Sequence, residues 1–266
     1  METFKSESDP SSEGQNGLSR REVLQTVALG SVATLGAGML GTFLTGSNAF
    51  GDEKKTEPKG DSSPAFAGLH RLKPLSFAPG KLKGLSEKLI ISHHENNYGG
   101  AVKNLNKVEV ELALVTQDTP GFVAAGLAQS ALTYRNSMVL HEFYFGNLGG
   151  NGKAQGKIEK ALSETYGSFS RWEILFRQIA NGLGGGSGWV TLSYDFHAKR
   201  PVTSWSGHHT QVGAFSTPLL VMDMYEHSYQ MDYGAAAAKY VDAFFQNIDW
   251  EEVEKRFEAA GKVSLS

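Results

Sequence analysis

The stretch Val221-Met222-Asp223-Met224-Tyr225-Glu226-His227 constrains this chain more than any other. It follows the apolar run Pro218-Leu219-Leu220, which reads as a buried strand, so a carboxylate and an imidazole four residues apart stand at a strand's end. A metal site needs such a place: rigid backbone, a dry surrounding and two ligands from one short segment. The same spacing also suits a helix-start Asp followed by a surface His, so the metal reading requires further ligands elsewhere.

Those ligands are not thiolates. The chain has no cysteine, which excludes disulfides and sulfur-ligated metals and leaves His, Asp and Glu. His93-His94 lies in a helical pattern over residues 85–113 that is interrupted at Gly99-Gly100. A second long helix over 122–148 has an apolar side made by Val123, Leu127, Leu132, Met138, Leu140 and Phe145. His141 sits in it, among aromatic residues. Taken singly, His93-His94 reads as an exposed polar pair and His141 as a satisfied core histidine. Taken together, three histidines and one aspartate from three separated segments form an N3O set suited to a first-row transition metal. Iron oxygenases built on two His and one carboxylate fit less well, because a third imidazole closes a position they need open.

The remaining pattern gives the architecture. Residues 157–166 and 169–183 read as helices, 189–194, 201–205 and 217–222 as short strands, and 235–248 and 250–260 as closing helices. Gly184-Gly185-Gly186-Ser187-Gly188 has neither a preceding strand nor a following Lys-Ser/Thr, so it is a lead into a strand and not a phosphate loop. The expected fold class is α+β: an N-terminal helical hairpin (71–149), then an α/β half (150–266) with a small three-stranded antiparallel sheet, the metal lying between the halves.

Ahead of this lie two segments without a core. Residues 1–49 contain Arg20-Arg21, then an uncharged, mildly apolar stretch rich in Gly and Thr from Val23 to Gly51, with Ser47-Asn48-Ala49 in signal-peptidase geometry for a cut before Phe50. That is the pattern of a twin-arginine export signal, with a retained membrane anchor as the alternative, and it places the mature protein in the periplasm or outside the cell. Residues 50–70 are charged and turn-rich, and read as a flexible linker. The full chain has a formal charge of −3; losing 1–49 removes five acids and three bases and leaves −1. No basic footprint for nucleic acid exists, and no lysine run for a membrane surface.

From about Leu72 to Ala260 the chain resembles the iron/manganese superoxide dismutases. Ser92-His93-His94 followed by Lys103-Asn104-Leu105-Asn106 carries the resemblance, with the stretch from His141 to Leu148 and Gly186-Ser187-Gly188-Trp189. Thr217-Pro218-Leu219-Leu220 through Glu226-His227, and Asn247-Ile248-Asp249-Trp250, complete it in the family's order. It implies disproportionation of superoxide by one iron or manganese ion per chain, held by His93, His141, Asp223 and His227. It implies a homodimer in which Glu226 reaches the partner's His227. It also implies that His208, fifteen residues before Asp223, takes the place from which a Gln or His hydrogen-bonds the metal-bound solvent. Ser137 stands where some relatives supply a Gln instead, and is too short to do so.

Five positions depart from the family. The usual gateway tyrosine, eight residues after the first ligand, is Ala101; a nearby histidine is Tyr98, which becomes the candidate to supply the missing phenol. The Trp between Asp223 and Glu226 is Tyr225, and the pair that usually meets across the dimer is Asn97 and Gln230, which can still hydrogen-bond each other. The alternative reading is an exported metal-binding or structural protein with the dismutase fold but little turnover.

Overall fold

The computed structural model describes residues 63–263; the export segment 1–49 and the linker up to residue 62 lie outside the described residues. The last part of the expected linker is not free. The Gly68 amide donates to Glu109 Oε2 at 3.3 Å, and the His70 backbone exchanges hydrogen bonds with the Asn106 side chain, both at 2.9 Å. Gly68 has φ +57°, and a Cβ there would stand 2.8 Å from the Asn106 carbonyl oxygen, so only glycine fits this contact.

Helix α1 (Glu87–Ser92) starts at Ser86, whose hydroxyl accepts the Leu89 amide at 3.1 Å. Asp232 in turn accepts from both the amide and the hydroxyl of Ser86 at 2.7 Å. The helix continues through a π-helical turn, His93–Tyr98, into α2 (Gly99–Ala113). The irregularity expected at Gly99-Gly100 thus lies just before the glycines, at the histidines. The Gly99 amide bonds to the His94 carbonyl, five residues back, and this widened turn brings His93, His94 and Tyr98 all to the buried side. Helix α3 (Gly121–Gly146) packs back against α2 and carries His141 in its last two turns.

The mixed half begins with α4 (Gly156–Tyr166), closed by Gly167 at φ 87°, and α5 (Phe169–Leu183), capped by Ser168. Strands β1 (Trp189–Asp195), β2 (Arg200–Ser206) and β3 (Ser216–Asp223) form an antiparallel sheet in the order β2-β1-β3. Trp189 is opposite Ser206 on one side and Asp223 on the other, with a slip between Leu192 and Ser193 on the β3 side. Side chains alternate. Val190, Leu192, Leu220 and Met222 enter the core, where Trp172 of α5 donates to Thr203 at 3.0 Å. Trp189, Thr191 and Ser193 face the other way, toward α3. Gly188 at φ 144° sets the start of β1; a Cβ there would come within 2.2 Å of the Ser206 carbonyl oxygen. Helices α6 (Gln230–Tyr233), α7 (Ala237–Gln246) and α8 (Trp250–Gly261) close the chain, α8 being capped by Asp249. No helix among the described residues is long and apolar enough to cross a membrane.

Two buried asparagines join the halves. Asn147, just after α3, accepts the Val221 amide at 2.9 Å, and its own carbonyl accepts the Asp249 amide at 2.9 Å. Asn247 exchanges hydrogen bonds with the Lys83 backbone, both at 2.8 Å. Val221 lies two residues before Asp223, so Asn147 fixes the strand that delivers the carboxylate. Asn147→Ala leaves a buried amide unpaired and should cost about 2 kcal/mol of stability in denaturant unfolding.

Candidate metal centre

Strand β3 ends because Asp223 turns the chain. Its Oδ1 accepts the Tyr225 amide at 2.8 Å, a local turn that competes with continued pairing and brings His227 back over its own strand end. Ser228 donates to the Asp223 carbonyl at 3.0 Å, and Tyr240 donates to the same oxygen at 2.8 Å. The Tyr144 hydroxyl lies 3.2 Å from that of Tyr240, and its ring packs 5.0 Å from His93. The segment is therefore held from α3 and α7 as well as from its own turn.

Three imidazoles converge on the other carboxylate oxygen. Asp223 Oδ2 lies 3.1 Å from His93 Nε2, 3.2 Å from His227 Nε2 and 3.6 Å from His141 Nε2. One ligand atom from each of the four residues falls within 4.8 Å of the others. His93, His141 and Asp223 are buried, while His227 keeps 28% of its side chain exposed.

The donor chemistry of this set fits a metal ion. His141 Nδ1 donates to the Ser137 carbonyl at 2.7 Å, which fixes that nitrogen as the N–H and leaves Nε2 with its lone pair. Nε2 is buried and has no hydrogen-bond partner, yet it faces a carboxylate oxygen. Two buried acceptors opposed in this way repel unless a cation lies between them. Three imidazoles and one carboxylate also match the nitrogen and oxygen preference of iron and manganese.

Burial governs the electrostatics. Desolvation pushes His141 down to about 3, with the neighbouring His93 adding to the effect, and desolvation also lowers His93. Both rings are neutral and ready to coordinate. For Asp223, burial favours the neutral acid, but His227 and His93 more than offset it and hold the carboxyl well below the usual range. Burial likewise opposes charge on His227, but the attraction and hydrogen bond of Asp223 prevail and raise it.

The neighbouring histidines are placed differently from the expectation. His208 is not brought to the cluster: its ring is exposed and its Nδ1 pairs with Thr210 Oγ1 at 3.0 Å. His209, one residue on, turns inward. Its ring stacks on Tyr225 at 4.9 Å and 14°, and Tyr225 stacks on His227 at 5.4 Å and 14°. The buried Trp189 indole donates to His209 Nδ1 at 3.0 Å. An indole only donates, so His209 Nδ1 is the acceptor and its proton resides on Nε2. Burial lowers His209 to about 4, so it is neutral.

Tyr98 is buried with its ring parallel to His141 at 6.1 Å, but its phenol is already engaged. The hydroxyl accepts the Lys73 amide at 3.0 Å and donates to Glu142 Oε1 at 3.1 Å, and burial pushes it up to about 12. It therefore does not offer the phenol expected of it. Ala101 is buried, and Glu226 is exposed with no side-chain partner among the described residues. The Trp189–His209 pair was missed from sequence; its one signal was a strand-borne Trp whose indole needs an acceptor.

In the ion-free protein the raised His227 retains its proton to higher pH than an ordinary histidine, and a metal must displace it. Metal affinity, measured by chelator competition, should rise with pH through the region just above about 6.5 and then level off. A flat profile would contradict the arrangement.

Known proteins show the same pattern. The family profile described as iron/manganese superoxide dismutases, C-terminal domain, matches residues 154–256. An iron superoxide dismutase of Cupriavidus metallidurans is 51% identical over 193 residues, covering 72% of this chain and 98% of that protein. An iron superoxide dismutase of Aquifex pyrophilus is 32% identical over 210 residues, 73% of this chain and 95% of that one. A manganese superoxide dismutase of Haloarcula marismortui is 31% identical over 178 residues, 65% of this chain and 86% of that one. With one relative so similar over nearly its whole length and the four ligand positions gathered at one point, the chain belongs to the iron/manganese superoxide dismutase family.

Proposed function

We propose that the chain converts superoxide to dioxygen and hydrogen peroxide with a single iron or manganese ion held by His93, His141, Asp223 and His227. The observation that carries the proposal is the convergence of three imidazole nitrogens on one buried oxygen of Asp223. A redox-active ion of this kind supplies the one-electron exchange on which disproportionation depends. The chain's own groups hold the ion, keep its surroundings dry and manage protons.

His209 replaces His208 in this scheme. With Nδ1 occupied by the Trp189 indole, its Nε2–H is the free donor beside Asp223 and His227. It can hold a solvent molecule or an incoming anion at the open side of the ligand set, and its neutrality makes it a hydrogen-bond donor without adding charge. Because the Tyr98 hydroxyl is engaged by Glu142, no phenol is assigned to the gateway, and proton delivery falls to His209 and solvent entering beside the partly exposed His227. The reading as a structural relative with little turnover is not favoured beside a superoxide dismutase at 51% identity and a complete ligand set.

Assembly and export extend the proposal. The free carboxylate of Glu226 and the exposed edge of His227 are adjacent in sequence and suit a two-fold contact in which each Glu226 reaches the partner's His227, with Asn97 and Gln230 nearby. Arg20-Arg21 and the uncharged stretch behind them support export of the folded protein to the periplasm or beyond, leaving no stable membrane anchor after cleavage.

Superoxide decay followed by stopped flow, with the mature chain loaded separately with iron and manganese, tests the activity. Fast decay with one metal, lost in His141→Ala, is expected; metal-loaded protein without decay would overturn the proposal. His209→Ala should lower turnover about 10- to 100-fold and His208→Ala should leave it nearly unchanged. Glu226→Ala should shift the loaded protein from dimer toward monomer in light scattering, and Arg20 and Arg21 both exchanged for Lys should retain it inside the cell. A wild-type monomer, or unimpaired export, would count against those assignments.

A further inference from the structure

A second cavity lies beyond the metal centre, between α3 and the face of the sheet that bears Trp189. Along that face the alternation places Thr191 and Ser193 on β1 and Ser204 and Ser206 on β2, a patch of hydroxyls beneath a helix. Thr191 and Ser204 satisfy each other at 2.7 Å. Ser193 and Ser206 line the cavity as largely buried residues whose hydroxyls make no hydrogen bond among the described residues and stay open to the space. Open hydroxyls on the floor of a cavity offer donors and acceptors to a molecule that enters it.

The space is about 210 Å³, compared with the roughly 150 Å³ that admits a benzene ring. Its walls include Val139, Leu140 and Pro218, which offer water no hydrogen bonds. Its mouth is charged. Arg135 stands there half-exposed, with one guanidinium nitrogen 3.3 Å from Glu109 and the others without partners among the described residues. A guanidinium at the rim, apolar walls and hydroxyls on the floor recognise one kind of molecule: a carboxylate at one end, an apolar middle, and a hydroxyl or carbonyl at the other.

We infer that this cavity binds a small organic carboxylate of about ten non-hydrogen atoms, with its acid group on Arg135 and a polar far end on Ser193 and Ser206. The site is independent of the ligand set but touches its support. Asn136, on the cavity wall, donates to the His209 carbonyl at 2.8 Å, and Ser206 leads directly into the loop that carries His209.

The test is calorimetric titration of the metal-loaded full protein with 4-hydroxybenzoate, with benzoate as the analogue lacking the far hydroxyl. Binding with a dissociation constant on the order of 0.1–1 mM is expected. It should weaken about tenfold for benzoate, for Ser193→Ala combined with Ser206→Ala, and for Arg135→Leu. Val139→Trp, which fills the space, should abolish it while the metal's absorption spectrum stays as in the unsubstituted protein. Because Val139→Trp can disturb packing, the surface change Arg135→Leu is read beside it, with thermal unfolding confirming that both variants are folded. No heat with the unsubstituted protein means that the cavity holds water only and overturns the inference. So does binding that survives in Val139→Trp, or that shifts the metal's spectrum, since the carboxylate then sits elsewhere.

Discussion

A carboxylate with no exposed surface is the constraint around which this molecule is arranged. Asp223 stands at the end of a buried strand, and an ionised acid there is tolerable only if every lone pair has a partner. One oxygen is met by the Tyr225 amide and the other by imidazoles from three directions. Burial keeps His93 and His141 neutral, so these two supply lone pairs rather than protons, while His227 must give up its proton before it can do the same. The site is thus short of positive charge by construction, and a metal ion resolves what hydrogen bonding alone does not.

That demand explains features distributed over the fold. The π-helical turn orients His93, the carbonyl of Ser137 fixes the tautomer of His141, and Asn147 pins the strand that carries Asp223. The hydroxyl of Tyr240, on α7, donates to the carbonyl of Asp223, and that of Tyr144, on α3, lies beside it. The four clustered residues come from both halves of the chain, so an ion held there would also join the halves, at the junction that the asparagines bracket. Beyond the ligands, Trp189 sits at the start of β1, directly across from Asp223, and passes the order of the sheet to His209 through one hydrogen bond.

Much of this was readable from the residues alone. Helical and alternating periodicity gave the hairpin and the three strands to within a few positions, because burial on one face is what forms both. The cluster of His93, His141, Asp223 and His227 was legible from the strand-end Asp223 and His227, completed by histidines in two helices and by the resemblance those stretches carry. The choice between His208 and His209 was not legible. Both lie past Ser206, where β2 ends and alternation no longer says which side chain points inward; the buried indole of Trp189 decides it through tertiary contact. The place of Tyr98 was hidden for a similar reason, since its partners Lys73 and Glu142 lie far away in sequence. The widened turn at His93 escaped because one five-residue hydrogen-bond step hardly alters an apolar period, whereas glycines at 99 and 100 drew attention to the wrong place.

The hydroxyls of Ser193 and Ser206 follow from the same alternation: a strand that serves the core on one face leaves polar groups on the other, here facing a cavity. For the metal centre the decisive quantity is the number of ions held, because the whole arrangement rests on Asp223 needing one. Native mass spectrometry of the purified chain should give one iron or manganese ion per protomer, and none in Asp223→Ala. A chain that folds and takes up no ion, or a variant that retains its ion without that carboxylate, would contradict the account.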